Sequence, residues 1–237
     1  MNITGSHAVV VGGSSGIGLA VTAAFVRGGA RVTVLARDAE RMRAALEPLG
    51  DAAHGVPADA AEAASIASAL ESVGAFDHLV VSAGGNAADG LFRDITEERF
   101  RAAFDAKFWV FMRALRLSLG RVRQSVTLVT GAAGRRAMRG LSGLAATNGA
   151  LQAMIGPLAL ELAPVRINAV SPGLIDTPYW RRLPPERRDA MFDAAAKTLP
   201  VGRAGSPEDV ADAVLFVAGN GFTTGAIIDC DGGARLV

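Results

Sequence analysis

The sequence contains little of what metal centres, secreted proteins and membrane proteins require. Its 237 residues include a single cysteine, Cys230, so no internal disulfide can form and no cysteine pair can hold zinc or an iron–sulfur cluster. A run of about 18 apolar residues, the length needed to span a bilayer, is absent, as is a basic N-terminus followed by an apolar stretch. We therefore expect a cytoplasmic protein with no metal site.

An excess of charge of either sign is also absent. The 24 Lys and Arg residues nearly balance the 23 Asp and Glu residues, which gives a formal net charge of +1. This balance produces no broad field that would attract nucleic acid or a membrane surface. Hydrophobic residues make up 50% of the chain and charged residues 20%, which excludes intrinsic disorder. We expect one globular domain, residues 1–237, that acts on a small molecule.

Short β-branched runs alternate with helical patterns along the chain. Strands are predicted at 8–11, 31–36, around 56, 78–81, 125–130, 165–170 and 226–230. The helices predicted after the first one lie at 38–49, 60–73, 97–119, 144–162 and 207–217. Strands with continuous apolar runs that alternate with helices predict an α/β fold, a doubly wound parallel sheet of about seven strands with helices on both faces.

Three glycines follow the first predicted strand. The motif Gly12-x-x-x-Gly16-x-Gly18 lies between a strand and a helix, where backbone N–H groups and the positive end of the helix dipole can bind a pyrophosphate. Such a turn is a weak signal by itself, because a tight strand-to-helix connection without a ligand uses the same residues.

Further motifs extend this turn into a resemblance that covers almost the whole chain. They are Asp59 after the third strand, VSAG at 81–84, RINAVSPG at 166–173, Asp176-Thr177, and DCDGG at 229–233. On these motifs the chain resembles the short-chain dehydrogenase/reductase family, which implies a single-domain Rossmann fold. The cofactor-binding positions that the resemblance implies are Gly12, Ser14, Ser15, Gly16, Ile17, Gly18, Arg37, Asp59, Ala83, Gly84, Pro172, Gly173, Ile175 and Thr177.

The end of the second strand indicates which nicotinamide cofactor is used. Relatives that bind NAD place an acidic residue there to accept hydrogen bonds from the ribose hydroxyls, whereas this chain has Ala36 followed by Arg37. A guanidinium can pair with a 2′-phosphate, and the missing carboxylate removes a repulsion against it. NADP(H) is therefore favoured over NAD(H). The alternative is that Arg37 is a solvated residue at a strand end.

The residues that carry the family's proton chemistry are replaced. Aligned with the family, Leu144 stands at the position of the tyrosine and Asn148 at that of the lysine four residues later. The serine position, about 13 residues before the tyrosine in the family, falls on Gly131, with Thr130 one residue away. Neither a leucine nor an asparagine can perform the role of the residue it replaces.

Lys107 replaces the family's asparagine on the long helix. No tyrosine or lysine lies between Lys107 and Tyr179, the only tyrosine of the chain. We hypothesise that Lys107 is a relocated proton donor or carbonyl polariser whose pKa desolvation lowers. The alternative is an ordinary lysine on an amphipathic helix, paired with Asp105 or Glu98.

Several other residues are candidates for contacting a substrate. A segment at about 172–200 carries most of the local charge and is interpreted as a substrate lid, or alternatively as a solvated surface helix at 185–197. Secondary catalytic candidates, each of which could also be a local backbone partner, are Thr130, Ser142, Ser82 and Asn148. Candidate substrate contacts are Trp109, Tyr179 and Trp180. For Trp109 the alternative is packing between helices.

These observations favour an NADP(H)-dependent oxidoreductase with a non-standard active site. It would transfer hydride to or from a small or medium carbonyl, imine or alcohol. Two alternatives remain open. One is a non-redox protein on the same scaffold, either an NADP(H)-binding regulatory subunit or an isomerase or cyclase, and the other is a ligand-free structural paralogue. The resemblance also implies a homotetramer or homodimer built on the helices at 97–119 and 144–162.

Overall fold

Seven parallel strands form one sheet in the computed structural model, which describes residues 3–82, 84 and 88–237. The strands are β1 His7–Val11, β2 Arg31–Ala36, β3 Ala53–Pro57, β4 Phe76–Val81, β5 Val122–Val129, β6 Arg166–Pro172 and β7 Ile227–Cys230. Their order across the sheet is β3-β2-β1-β4-β5-β6-β7, and every neighbouring pair is parallel. The predicted doubly wound α/β sheet is confirmed.

Helices cover both faces of this sheet. They are α1 Gly16–Arg27, α2 Ala39–Leu46, α3 Ala63–Val73, α4 Glu97–Ala103, α5 Val110–Ser118, α6 Ser142–Glu161, α7 Pro185–Thr198 and α8 Pro207–Gly219. None of the helices within the described ranges combines the length and the apolarity needed to cross a membrane.

Two predicted helices differ from those observed. The helix predicted at 38–49 ends at Leu46 and continues as the 3-10 segment Glu47–Ala52, because Pro48 has no backbone N–H to donate and Gly50 has a positive φ of 63°. The helix predicted at 97–119 contains the π-helical segment Phe104–Trp109 between α4 and α5.

The hydrophobic core has two layers, one on each face of the sheet. Side chains alternate along β1, so Val10 packs into the layer beneath α1 and α8, whereas Val9 and Val11 pack into the layer beneath α3, α5 and α6. Because each central strand is buried on both faces, its sequence is a continuous apolar run.

The direction of winding reverses between β1 and β4. From β1 the chain moves outwards to β2 and β3, then returns to β4 beside β1 and continues to β7. The loops that follow β1 and β4 therefore leave the sheet in opposite directions and open a crevice at the carboxyl ends of these strands. In open α/β sheets, ligands bind at this switch point.

Candidate active site

A cleft of about 1120 Å³ lies at the carboxyl ends of β1, β2 and β3 and extends to α5. We call it the large cleft. Its volume is comparable to the roughly 300–1,000 Å³ of pockets that hold small molecules and cofactors. The predicted cofactor residues in its walls are Gly12, Ser14, Ser15, Arg37, Asp59 and Gly84.

The glycine turn after β1 brings two stretches of backbone into close contact. Gly12 and Gly16 have positive φ angles of 85° and 51°, which glycine adopts without strain. A Cβ at Gly18 would overlap the carbonyl oxygen of Gly12. Gly16, Ile17 and Gly18 form the first turn of α1, so N–H groups without intrahelical partners lie at the wall of the crevice. This turn can accept a pyrophosphate.

We expect Gly18→Ala to weaken NADPH binding by at least about tenfold and to lower the melting temperature. The new methyl group would meet a backbone carbonyl that cannot move without separating β1 from α1, and such overpacking costs about 1–3 kcal/mol. The matched control is Gly156→Ala on α6, where nothing lies within 4 Å of the new Cβ. Calorimetric titration with NADPH and thermal unfolding check both variants, and wild-type affinity in Gly18→Ala contradicts the expectation.

The outer part of the large cleft contains two guanidinium groups. Arg37 and Arg41 both line it. Arg41 was not among the cofactor-binding residues predicted from the sequence, although it follows Arg37 by four positions. The carboxylate of Asp38 accepts a hydrogen bond from the Arg41 N–H at 2.9 Å and caps α2. Asp59 is held in a turn, where its Oδ1 accepts from the Ala61 N–H at 2.9 Å. The outer cleft is thus suited to a phosphate group.

A smaller pocket of about 260 Å³ adjoins the large cleft. We call it the inner pocket. It shares Gly12, Ser15, Ser82 and Gly84 with the large cleft. Its other walls include Gly16, Ile17, Gly18, Lys107, Thr130, Thr177, Pro178 and Tyr179. Lys107 carries the only charged side chain among the described residues that line it.

Lys107 is half-buried and its side chain lines this pocket. Its Nζ donates a hydrogen bond of 2.8 Å to the carbonyl oxygen of Thr130 and lies 5.9 Å from the centre of the Phe111 ring. Burial lowers the pKa of Lys107 from 10.5 to about 8, because the charged form loses its hydration. Among the described residues, no ion pair joins Lys107 to Asp105 or Glu98. The side chain therefore lies in the inner pocket and not in an ion pair at the helix surface, and its catalytic role stays a hypothesis.

The π-helical segment Phe104–Trp109 contains Lys107 at its centre. The widened turn accommodates one extra residue, and such bulges occur frequently at functional sites. The Lys107 side chain packs beside Gly84, where an added Cβ would lie 3.3 Å from the lysine Cδ. The bulge and this glycine together give the lysine its path into the inner pocket.

Comparison with known proteins identifies the family. A family model described as enoyl-(acyl carrier protein) reductase matches residues 11–235. The short-chain dehydrogenase/reductase ATR9 of Stachybotrys chlorohalonatus is 33% identical over an alignment of 253 positions. The alignment covers 99% of this chain and 98% of that protein. The chain belongs to the short-chain dehydrogenase/reductase family. The resemblance inferred from the sequence motifs is confirmed.

Solved structures of short-chain dehydrogenases superimpose on the whole chain. A small-chain dehydrogenase in complex with NADPH is 34% identical, has a TM-score of 0.84, and covers 98% of this chain and 100% of its own. A short-chain oxidoreductase of Pseudomonas aeruginosa PAO1, described as containing an atypical catalytic center, is 30% identical with a TM-score of 0.88 and covers 96% of each chain.

In this short-chain dehydrogenase/reductase, the two side chains predicted to stand at the tyrosine and lysine positions pack inside the protein. Leu144 and Asn148 are buried on α6, and the Asn148 Nδ2 donates to the Leu144 carbonyl at 2.8 Å. A Cβ at Gly131 would lie 3.2 Å from the Asn148 Oδ1. Thr130 is different, because it lines the inner pocket while its hydroxyl donates to the Val170 carbonyl at 3.2 Å.

Other predicted site residues lie outside the two cavities. Ala83 falls outside the described residues. The described candidates that line neither wall are Ser142, Asn148, Trp109, Trp180, Pro172, Gly173 and Ile175. Ile175 is a core residue beneath α1 and α8, and Trp109 is 47% exposed. The Trp180 indole donates to the Ile175 carbonyl at 2.8 Å, which anchors the loop after β6.

The segment at 172–200 divides into two parts. Its first part includes the short 3-10 helix Pro178–Arg182 and supplies Thr177, Pro178 and Tyr179 to the inner pocket. The Arg182 guanidinium lies 3.9 Å from the centre of the Tyr179 ring. Its second part is α7, whose residues are mostly exposed. The alternative of a solvated surface helix describes this second part, and the substrate lid stays a prediction.

Proposed function

We propose that this short-chain dehydrogenase/reductase is an NADP(H)-dependent oxidoreductase that moves hydride between the nicotinamide and a small or medium carbonyl, imine or alcohol. The observation that carries the proposal is the Lys107 ammonium in the inner pocket, beside the glycine turn. A dinucleotide cleft with one half-buried cation at its inner end has the components of a hydride-transfer site.

The residues present fit a dinucleotide phosphate cofactor. A side chain at Gly18 would overlap the Gly12 carbonyl oxygen, so only glycine keeps the turn tight where the pyrophosphate would lie. The first turn of α1 presents N–H groups at the same place. Arg37 and Arg41 line the outer cleft, where they would hold a 2′-phosphate. When bound, the nicotinamide supplies or accepts the hydride.

Lys107 supplies the proton in the proposed reduction of a carbonyl. The substrate oxygen gains a proton from the Lys107 Nζ as the carbonyl carbon gains hydride, so the product is the alcohol and the lysine is left neutral. A proton from solvent restores the ammonium. The Thr130 carbonyl, 2.8 Å from Nζ, holds the ammonium in place through this exchange. A protonated imine already carries its positive charge and needs less acid catalysis.

Two structural neighbours support the proposal. One was solved in complex with NADPH, which agrees with the Arg37 and Arg41 side chains that line the outer cleft of this chain. The other is described as having an atypical catalytic center, which agrees with Leu144 and Asn148 at the tyrosine and lysine positions.

The proposal is tested with a substrate panel of aldehydes, ketones, cyclic imines and secondary alcohols. NADPH consumption, or NADP⁺ reduction for the alcohols, is followed by nicotinamide absorbance. We expect turnover in at least one class, with higher kcat/KM for NADPH than for NADH. Tight NADPH binding without turnover on any class contradicts the oxidoreductase and supports the non-redox scaffold protein. Absence of binding to either cofactor contradicts the oxidoreductase and the NADP(H)-binding regulatory subunit.

A further inference from the structure

Gln152 on α6 joins three segments behind the inner pocket. It is 6% exposed and lies one helical turn after Asn148. Its Nε2 donates to the Thr130 hydroxyl at 3.0 Å and to the Gly131 carbonyl at 3.1 Å, and the Ser171 hydroxyl lies 3.4 Å away. One carboxamide thus connects α6 with the ends of β5 and β6.

Thr130 links this carboxamide to the lysine. Its N–H donates to the Val170 carbonyl at 2.8 Å, its hydroxyl accepts from Gln152 at 3.0 Å, and its carbonyl accepts from the Lys107 Nζ at 2.8 Å. The Thr130–Gly131 peptide carries the acceptor of Lys107, and Gln152 bonds to groups on both residues. The orientation of that acceptor therefore depends on Gln152.

We infer that Gln152 is a positioning residue that fixes the Thr130 carbonyl and, through it, the Lys107 ammonium. The inference rests on the proposed role of Lys107. A carboxamide suits this task because its two N–H groups point in fixed directions from a planar group, so it orients the peptide where a hydrocarbon of similar size would only fill space. The residues that hold the Lys107 ammonium, Thr130 directly and Gln152 through Thr130, both lie outside the helix that carries Lys107.

The inference predicts a change in the lysine that a purely packing role would not cause. A well-aligned carbonyl stabilises the charged form of an amine. Gln152→Leu keeps the bulk of the side chain but releases the Thr130–Gly131 peptide, so the ammonium loses part of its stabilisation. We expect the pKa of Lys107 to fall by about 0.5–1 pH unit, the effect of weakening one charge-assisted hydrogen bond.

The chain permits a direct measurement, because it contains only two lysines, Lys107 and Lys197. Protein labelled with ¹³C-lysine is titrated by NMR, and the exposed Lys197 on α7 serves as the internal reference. The control is Gln124→Leu, at the only other glutamine, which is exposed on β5 and bonds to Asp77. We expect the titration midpoint of Lys107 to move in Gln152→Leu alone.

A second variant keeps the test decisive if Gln152→Leu unfolds. Thr130→Val removes the hydroxyl that accepts from Gln152, retains the size of the side chain, and is expected to lower the Lys107 midpoint by a smaller amount. An unchanged midpoint in a folded Gln152→Leu or Thr130→Val protein overturns the inference. Because the titration uses neither substrate nor cofactor, this failure is distinct from a failure of the proposed catalytic role of Lys107, which retained turnover in Lys107→Met would reveal.

Discussion

Lys107→Met is expected to lower kcat by about 100- to 10,000-fold on a carbonyl substrate, the range that positioned proton transfer contributes. Methionine matches the length of the lysine stem but has no proton to give, so the oxyanion that develops in the inner pocket is left without a donor. The cofactor cleft is untouched, and we expect the NADPH dissociation constant to stay near that of the wild type. Steady-state kinetics and calorimetry measure the two quantities separately.

The rate of each reaction direction is expected to follow the protonation state of Lys107. Burial lowers the pKa of Lys107 to about 8, and carbonyl reduction requires the protonated form. Reduction is therefore expected to be constant at neutral pH and to fall as the pH rises through about 8. Alcohol oxidation requires the neutral amine and is expected to rise over the same interval. In Lys107→Arg the guanidinium stays charged, so the alkaline limb for reduction disappears.

The control for this experiment is Lys197→Met. Lys197 is the only other lysine, it is exposed near the end of α7, and its removal deletes the same charge from the chain. Unchanged kinetics are expected. If Lys107→Met turns over substrate at the wild-type rate, Lys107 is not the proton donor. In that case the ammonium would not polarise the carbonyl either, and the side chain would only fill the pocket.

The sheet and the glycine turn could be predicted because they depend on local signals. A continuous apolar run such as residues 8–11 predicts a buried parallel strand. Gly12, Gly16 and Gly18 occupy positions where the backbone has a positive φ or makes a close approach. The cleft follows from the strand order, since the switch point between β1 and β4 places the loops. These steps need only sequence pattern and topology.

The interior of the site depended on tertiary contacts that have no local pattern. The periodicity of residues 97–119 fits a regular helix, but the bulge at Phe104–Trp109 is fixed by what packs against it. The acceptor of Lys107 is a backbone carbonyl, and a carbonyl has no signature in a sequence. Gln152 had a weak signal, an amide in a helix whose only charged residue is Glu161, but its partners lie at the carboxyl ends of β5 and β6.

Arg37→Ala is expected to weaken NADPH binding by about 10- to 100-fold and to leave NADH binding unchanged. A hydrogen bond to a charged group contributes about 1.5–3 kcal/mol, and only NADPH carries the 2′-phosphate with which the guanidinium would pair. Arg37 is exposed at the large cleft and forms no ion pair within the described part of the chain, so no protein partner competes for it.

Calorimetric titration of Arg37→Ala with each cofactor separates charge recognition from packing. The control is Arg123→Ala, an exposed arginine near the amino end of β5, at the opposite edge of the sheet from the cleft. Equal losses for NADPH and NADH would show that Arg37 supports a part that the two cofactors share. Unchanged NADPH binding would move the phosphate contact to Arg41, the other guanidinium of the outer cleft. The loss is expected to be selective for NADPH, because Ala36 has no carboxylate that could bind the ribose hydroxyls in place of the lost phosphate contact.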